Sequence, residues 1–588
     1  MSADALPSSF RAIRRSLRLG YGAQPLLIIV ACATTLAAAV PDALFALALA
    51  TLTDAVLAHG RILPAATLLA GVSVGGWLLS LLSDRANRRL ADLAGVPIEA
   101  HVAKLHARLS TLEHHERADY ADRLAVLRDA PAALSGLYQS LFSTVGAVIR
   151  LLITVALLMS VRPALGLLGV FAIPTVLVSS WRGGVEQTRR DEVARHERRA
   201  RHFFTVGTTA AAGKEVRVTG VGERVREWWW EARRNYYRPL ARTRWASACW
   251  QSGAFALFGA AFVVAVAAVA DAGPGRVLLV LAAGGRLSQY IGQTVNDTHF
   301  FRAIWLDVAR RMTWLEELVA AADERAEASA PDTLQRGIRL EQVTFRYPGS
   351  AQPVLDDVTL GLPAGGVVAL VGENGSGKST LVKLLCRLYQ PATGRVTVDG
   401  IDLRYIPAAE WSGRVSAAFQ DFATFEYQVR ESVGIGDLGH VDDPTAVWTA
   451  IDRAGAADLV SGLGLQTQLG ASWPGGVELS RGQWQKLALA RGFMRPEPLL
   501  LVLDEPTSAL DAETEHALFE QYAAASRARS RRGRITLLVS HRFSTVRMAD
   551  LIVVLDGGRI AEQGSHEELL VAGGRYAELY RIQAAAYR

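Results

Sequence analysis

The residues with the clearest chemical potential lie in the second half of this 588-residue chain. Gly372-Glu373-Asn374-Gly375-Ser376-Gly377-Lys378-Ser379, followed by Thr380, fits the pattern GxxxxGK[ST]. The glycines let a backbone wrap closely around phosphates and aim its N–H groups inward. Lys378 is then placed for β- and γ-phosphate oxygens, and the Ser379 hydroxyl for Mg²⁺. A second constellation is Leu500-Leu501-Val502-Leu503-Asp504-Glu505, an apolar run ending in two carboxylates. Such a run suits a strand buried on both faces. Asp504 at its carboxyl end is placed to hold Mg²⁺ through water, and Glu505 to polarise an attacking water as a general base. Together the two motifs predict ATP as ligand, Mg²⁺ as cofactor and phosphoryl chemistry.

Shorter motifs accompany them. Leu479-Ser480-Arg481-Gly482-Gln483 precedes Asp504, Gln420 lies between the phosphate loop and that segment, and Ser508-Ala509-Leu510-Asp511 follows Glu505. Ser540-His541-Arg542 closes the series, and Phe345-Arg346-Tyr347-Pro348 opens it. In this order and spacing the chain resembles an ABC transporter of the exporter type, with a membrane domain and a nucleotide-binding domain in one polypeptide. The resemblance covers nearly the whole chain. It implies that Ser480, Gly482 and Gln483 form a signature facing the γ-phosphate held by another subunit. It further implies that Gln420 senses Mg²⁺ and contacts the membrane domain, that Asp511 belongs to the D-loop, that His541 contacts the γ-phosphate and that Tyr347 stacks on adenine. Arg481 departs from the pattern, which has glycine there. The catalytic set implied is Lys378, Gln420, Glu505 and His541.

The elements that must hold these groups follow from patterning. From residue 338 onward short β-rich runs (Arg339–Phe345, Val367–Gly372, Leu499–Leu503, Ile535–Val539 and Leu551–Leu555) alternate with helical stretches such as Leu381–Tyr389. That alternation predicts an α/β domain with a largely parallel sheet. Only one such domain is present, so the resemblance implies a second half-transporter as partner, with a homodimer the default and a heterodimer the alternative. A polar, Ala/Glu-rich stretch at 320–337 reads as a linker between domains at 25–319 and 338–588, behind an amphipathic basic segment at 1–24.

Half of the residues are hydrophobic and mean hydropathy is +0.18, which points to membrane spans. The apolar runs 26–56, 62–82, 141–161, 163–181, 246–270 and 275–295 predict six transmembrane helices, the last interrupted by Gly284, Gly285 and Arg286. The fold class is therefore a multi-domain membrane protein: a six-helix, all-α transmembrane domain, then an α/β P-loop nucleotide-binding domain. Two long, charged, helical segments carry Arg85, Arg88, Arg89, Arg182, Arg189, Arg190, Arg198 and Arg199. The positive-inside rule puts them, the nucleotide domain and both termini in the cytosol of a cell carrying this protein in its plasma membrane. Their tips, near 114–124 and 212–222, are expected to dock on nucleotide-binding domains. The net charge of +6 reads as membrane topology, with no nucleic-acid partner. Cys32, Cys249 and Cys386 lack spacing for a disulfide framework or zinc site.

Asp42, Arg150 and Arg286 fall inside predicted spans, where charges are costly and face cavities or partners. At 1.5 Å per residue from the outer turns, Arg150 and Arg286 lie roughly 18 and 16 Å deep. Asp42 is expected to pair with Arg150, or the three charges to line a polar part of a translocation cavity. The substrate is not legible, and no peptidase domain is expected ahead of the first span. Export is the favoured reading. Import through the same fold, as for siderophores, and a membrane sensor ATPase stay open.

Overall fold

The computed structural model describes residues 7–586 apart from 110, 118–119, 121–122, 125–126, 128–136, 301–304, 324–326, 506–532 and 541. It divides into two compact units.

The first unit, residues 1–104 and 123–316, is helical. A short amphipathic helix, Ser9–Ala23, precedes the long helices Pro25–Leu57, Ile62–Arg108, Leu137–Val161, Leu167–Thr208, Gly222–Ala268 and Pro274–Phe300. Proline opens two of them, Pro25 and Pro274, where its missing N–H is one the helix leaves unpaired anyway. Five described helices are long and apolar enough to cross a membrane, and at most 28% of their apolar windows is buried within the chain. Their remaining apolar surface therefore has to meet lipid or another chain. The sixth expected span is a continuous helix, Pro274–Phe300, that falls outside this group. Arg286, Asn296 and Asp297 within it lower its hydropathy. The charged segments continue the membrane helices, as in Ile62–Arg108, Leu167–Thr208 and Gly222–Ala268. Polar pairs join helices inside: Thr35 Oγ1 lies 2.8 Å from Ser83 Oγ and accepts from Asn87 Nδ2 at 3.0 Å.

The second unit comprises residues 105–122 and 317–588. Its main sheet has the order β10-β9-β3-β8-β7-β6. Strands β6 (Val415–Ala418), β7 (Leu500–Asp504), β8 (Ile535–Val539), β3 (Val367–Val371) and β9 (Leu551–Asp556) run parallel, with β10 (Arg559–Gly564) antiparallel at the edge. Every residue of β3, β7 and β8 is buried, which is why their sequences are unbroken apolar runs. A second, antiparallel sheet contains β1 (Gly337–Phe345), the expected strand Arg339–Phe345, together with β2 (Leu355–Pro363), β4 (Thr393–Val398) and β5 (Ile401–Asp402), which were not expected. β2 alternates buried and exposed positions, a weaker signal than a run. One core joins the two sheets through Leu340, Leu360, Leu370, Leu385, Val502 and Leu537. Each such fully buried side chain contributes roughly 1.5–3 kcal/mol of transfer free energy.

Of the expected tip near 114–124, residues up to 122 are grouped with this unit. The tip carries a short helix, Glu113–Glu116; Leu112 N–H donates to Leu388 C=O at 2.8 Å, and Tyr389 O–H donates to Glu116 Oε1 at 2.5 Å. The other expected tip carries the helix Ala210–Val218 in the first unit.

Candidate nucleotide site and membrane cavity

β3 ends in the phosphate loop, and the helix Lys378–Leu385 leaves from it. The loop's shape requires glycine at its hinges. Gly377 stands at φ +105, and a Cβ there would come within 2.7 Å of Leu355 Cδ2. A Cβ on Gly372 would come within 2.2 Å of Leu555 C=O. The loop folds around Lys378, which is 6% exposed and donates from Nζ to Gly372 C=O and Glu373 C=O, each at 2.8 Å. Burial lowers its pKa, opposed by the neighbouring Glu505 and Asp504 carboxylates. Ser376 Oγ is buried without a hydrogen-bond partner, a polar atom at the loop that a phosphate oxygen would satisfy. Glu373, Asn374, Gly375 and Ser379 are exposed on the open side; Thr380 is buried.

Across the loop, β7 delivers its two carboxylates. Asp504 is 4% exposed. Burial, then the charges of Glu505 and Asp421, push its pKa up to about 6, against the pull of Lys378 and Lys383. Glu505 stands at φ +46, a left-handed conformation that is rare outside glycine and collects at functional turns. Gln420 joins it: its Nε2 donates to Glu505 Oε2 at 2.5 Å. Gln485 Nε2 donates to Glu505 C=O at 3.4 Å.

Tyr347 packs edge-on to Phe345 and Tyr389, with Lys383 Nζ 5.8 Å from its ring centroid and its hydroxyl 3.1 Å from Thr380 Oγ1. It thus flanks the helix that follows the phosphate loop. The signature opens the helix Arg481–Gly492. Ser480 caps it, with Gln483 N–H donating to Ser480 Oγ at 3.3 Å and Ser480 N–H donating to Gln483 Oε1 at 2.9 Å. Arg481 is exposed and Gly482 half-buried, so the departure from glycine leaves the cap formed. Asp511 and His541 lie outside the described residues.

Sequence reasoning missed Arg575, on the final helix Arg575–Ala586, which forms an ion pair with Glu373 of the phosphate loop. Nothing local signals a pair so far apart in the chain. No group of three or more His, Cys, Asp or Glu suited to a metal occurs among the described residues. The donors that fit Mg²⁺ are Ser379 and Asp504, which need phosphate oxygens and water to complete a shell.

In the first unit the three membrane charges come together. Asp42 pairs with both arginines. Arg286 Nη1 donates to Asp42 Oδ1 at 2.9 Å and to its backbone C=O at 2.7 Å, and Arg150 Nε stands 3.4 Å from Oδ2. Tyr290, one turn beyond Arg286, donates its hydroxyl to Oδ2 at 3.0 Å; that helical spacing could have revealed it. The group borders a cavity of about 420 Å³, lined also by Pro41, Trp77, Ser73 and Ser80.

These features define a P-loop nucleotide-binding domain with a carboxylate pair at the end of β7, joined to a helical membrane domain. Residues 355–508 match the family model described as ABC transporter. Residues 355–508 thus carry an ABC transporter domain, and a helical unit with membrane-length helices precedes it in the same chain. A bacterial Atm1-family ABC exporter solved with ATP bound shares this fold, with a TM-score of 0.73 at 24% identity over 97% of this chain and 98% of that one. The ATP-dependent lipid A-core flippase of Cupriavidus pinatubonensis is 40% identical over 48% of this chain and 47% of its own length. The chain thus spans about half the length of that relative. The subtilin transport ATP-binding protein of Bacillus subtilis is 27% identical over 85% of this chain and 82% of its own length.

Proposed function

We propose that the chain is half of an ATP-driven membrane exporter, working as a dimer in a cell membrane with its nucleotide-binding domain in the cytosol. The observation that carries this reading is the glycine cradle around Lys378 facing Asp504 and Glu505, in a chain with five membrane-length helices among its described residues. Relatives named for lipid A-core flipping and subtilin transport support it, and the exporter fold supports outward movement.

In this reading ATP displaces Lys378 from the Gly372 and Glu373 carbonyls, and its ammonium then meets phosphate oxygens. Tyr347 holds the adenine edge of the site. Bound Mg²⁺, held by Ser379 and Asp504 with Gln420 beside them, would neutralise phosphate charge. Glu505 takes the proton of the attacking water, once Gln420 turns from its carboxylate toward the nucleotide. His541 and Asp511 complete the site on this side, and Ser480, Gly482 and Gln483 of one subunit close on the nucleotide of the other. Closure and release reach the membrane through the Glu113–Glu116 tip docked on Leu388 and Tyr389.

The deciding experiment compares ATPase activity of the purified chain in lipid with that of Glu505→Gln. The expected result is vanadate-sensitive turnover in the wild type and a loss of at least about 100-fold in the variant, with ATP binding retained. Full turnover in Glu505→Gln would overturn the assignment of the base. A folded wild-type chain that binds ATP and never turns it over in any lipid would overturn the homodimer.

A further inference from the structure

We propose that the membrane cavity beside Asp42 takes an amphiphile bearing an anionic group, a carboxylate or phosphate ester, recognised by Arg150. This rests on the transporter reading and names the substrate class for it.

The argument is one of unbalanced charge. Two guanidiniums share the single carboxylate of Asp42, which leaves one positive charge over. That carboxylate is already engaged by better partners than Arg150. Oδ1 accepts from Arg286 at 2.9 Å and Oδ2 accepts from Tyr290 at 3.0 Å. Arg286 is further fixed by the Asp42 carbonyl and lies 4.6 Å from the Phe45 ring centroid. Arg150 is the loosely held member. Its Nε approaches Oδ2 only at 3.4 Å and is buried with no hydrogen-bond partner. Farther along the same helices Asp297 accepts the hydroxyl of Ser143 at 2.7 Å. Ser143 is two turns from Arg150, about 10 Å.

An arginine in this position is about 17 Å from the outer end of its helix, near the middle of a hydrocarbon core about 30 Å thick. A surplus cation there is costly unless an anion or water meets it. The planar fork of a guanidinium matches carboxylate and phosphate oxygens two at a time. The rest of the wall is suited to an amphiphile. Trp77, Val72 and Ala38 supply apolar surface, and Ser73 and Ser80 line the same cavity. A cation or an uncharged apolar solute would leave the Arg150 charge unanswered.

The test is equilibrium binding of dodecyl phosphate and of dodecyltrimethylammonium to the full chain in phosphatidylcholine nanodiscs, below their micellar concentrations. Binding is measured on wild type and on Glu505→Gln, so that it is read without turnover. The expected result is saturable binding of the phosphate at least tenfold tighter than of the ammonium. Arg150→Gln should abolish that preference and Arg150→Lys should keep part of it. Competition separates the sources of the anion: displacement by phosphatidylglycerol marks a lipid headgroup, and displacement by dodecanoate without phosphatidylglycerol marks a free amphiphile. Equal binding of the two probes, or an unchanged preference in folded Arg150→Gln, would overturn the proposal. Failure of ATP turnover with intact anion preference would instead count against the transporter reading alone.

Discussion

Asp504 shows how a residue suited to a reaction weakens the fold that carries it. Its side chain is buried at the end of β7 beside Glu505 and Asp421, and its pKa rises to about 6 from an ordinary 3.8. A carboxyl whose folded pKa lies above its unfolded value binds protons more tightly in the native state. Its contribution is therefore most favourable below about pH 4 and is lost as pH rises through about 6. At 1.36 kcal/mol per unit, the ionised group costs on the order of 1–3 kcal/mol at pH 7.5 in the absence of nucleotide. Asp504→Asn should then raise the melting temperature of the nucleotide-free domain at pH 7.5, with the gain shrinking toward pH 4.5. The same variant should lose Mg²⁺-dependent hydrolysis. A melting temperature at or below that of wild type at pH 7.5 would show that the carboxylate is compensated by neighbours. Arg481 makes the opposite case: an exposed departure from glycine at a helix start whose cap forms regardless.

At the scale of elements, the final helix and the phosphate loop are joined by Arg575 and Glu373. The helix is anchored beneath, where Tyr576 packs edge-on to Phe543 and is fully buried. A loop that must keep its backbone N–H groups aimed at phosphates gains from such a tie. Arg575→Glu should raise KM for ATP about threefold with kcat little changed, a small effect in keeping with an exposed ion pair. The double variant Arg575→Glu/Glu373→Arg should recover most of the loss. A KM unmoved by the single change would mean that the loop holds its shape alone. This tie also shows what could be read in advance and what could not. The phosphate loop and β3, β7, β8 and β9 were legible because each is one continuous stretch with an unambiguous pattern. Of the antiparallel sheet only β1 was legible, as the run Arg339–Phe345; β2 was missed because it alternates buried and exposed positions. Pairs such as Arg575–Glu373, Tyr389–Glu116 and Gln420–Glu505 join distant stretches, which no local pattern encodes. The membrane charges fall between: their place within long apolar helices was readable, whereas Arg286 and Tyr290 hold Asp42 more closely than the expected Arg150 does.

At the scale of the whole molecule, in the dimer proposed above, one phosphate loop, one signature and one carboxylate pair would give each chain half of each of two sites. A two-fold dimer would use the same surface twice, with each signature serving the opposite nucleotide. The apolar faces of the membrane helices, little covered within the chain, are consistent with a second copy and lipid sharing that surface. Such an arrangement would couple the two hydrolysis events, because opening either site would require both domains to part. Co-expressing differently tagged wild type and Glu505→Gln chains makes this measurable. If both sites must be competent, equal and random mixing should leave about a quarter of the wild-type rate, carried by the wild-type pairs. If the sites fire independently, about half should remain, falling in proportion to the wild-type share. Tandem purification of the mixed pair then removes the ambiguity of mixing. An isolated heterodimer with under about a tenth of the wild-type rate would establish coupling, and one at about half would show that each nucleotide site works alone.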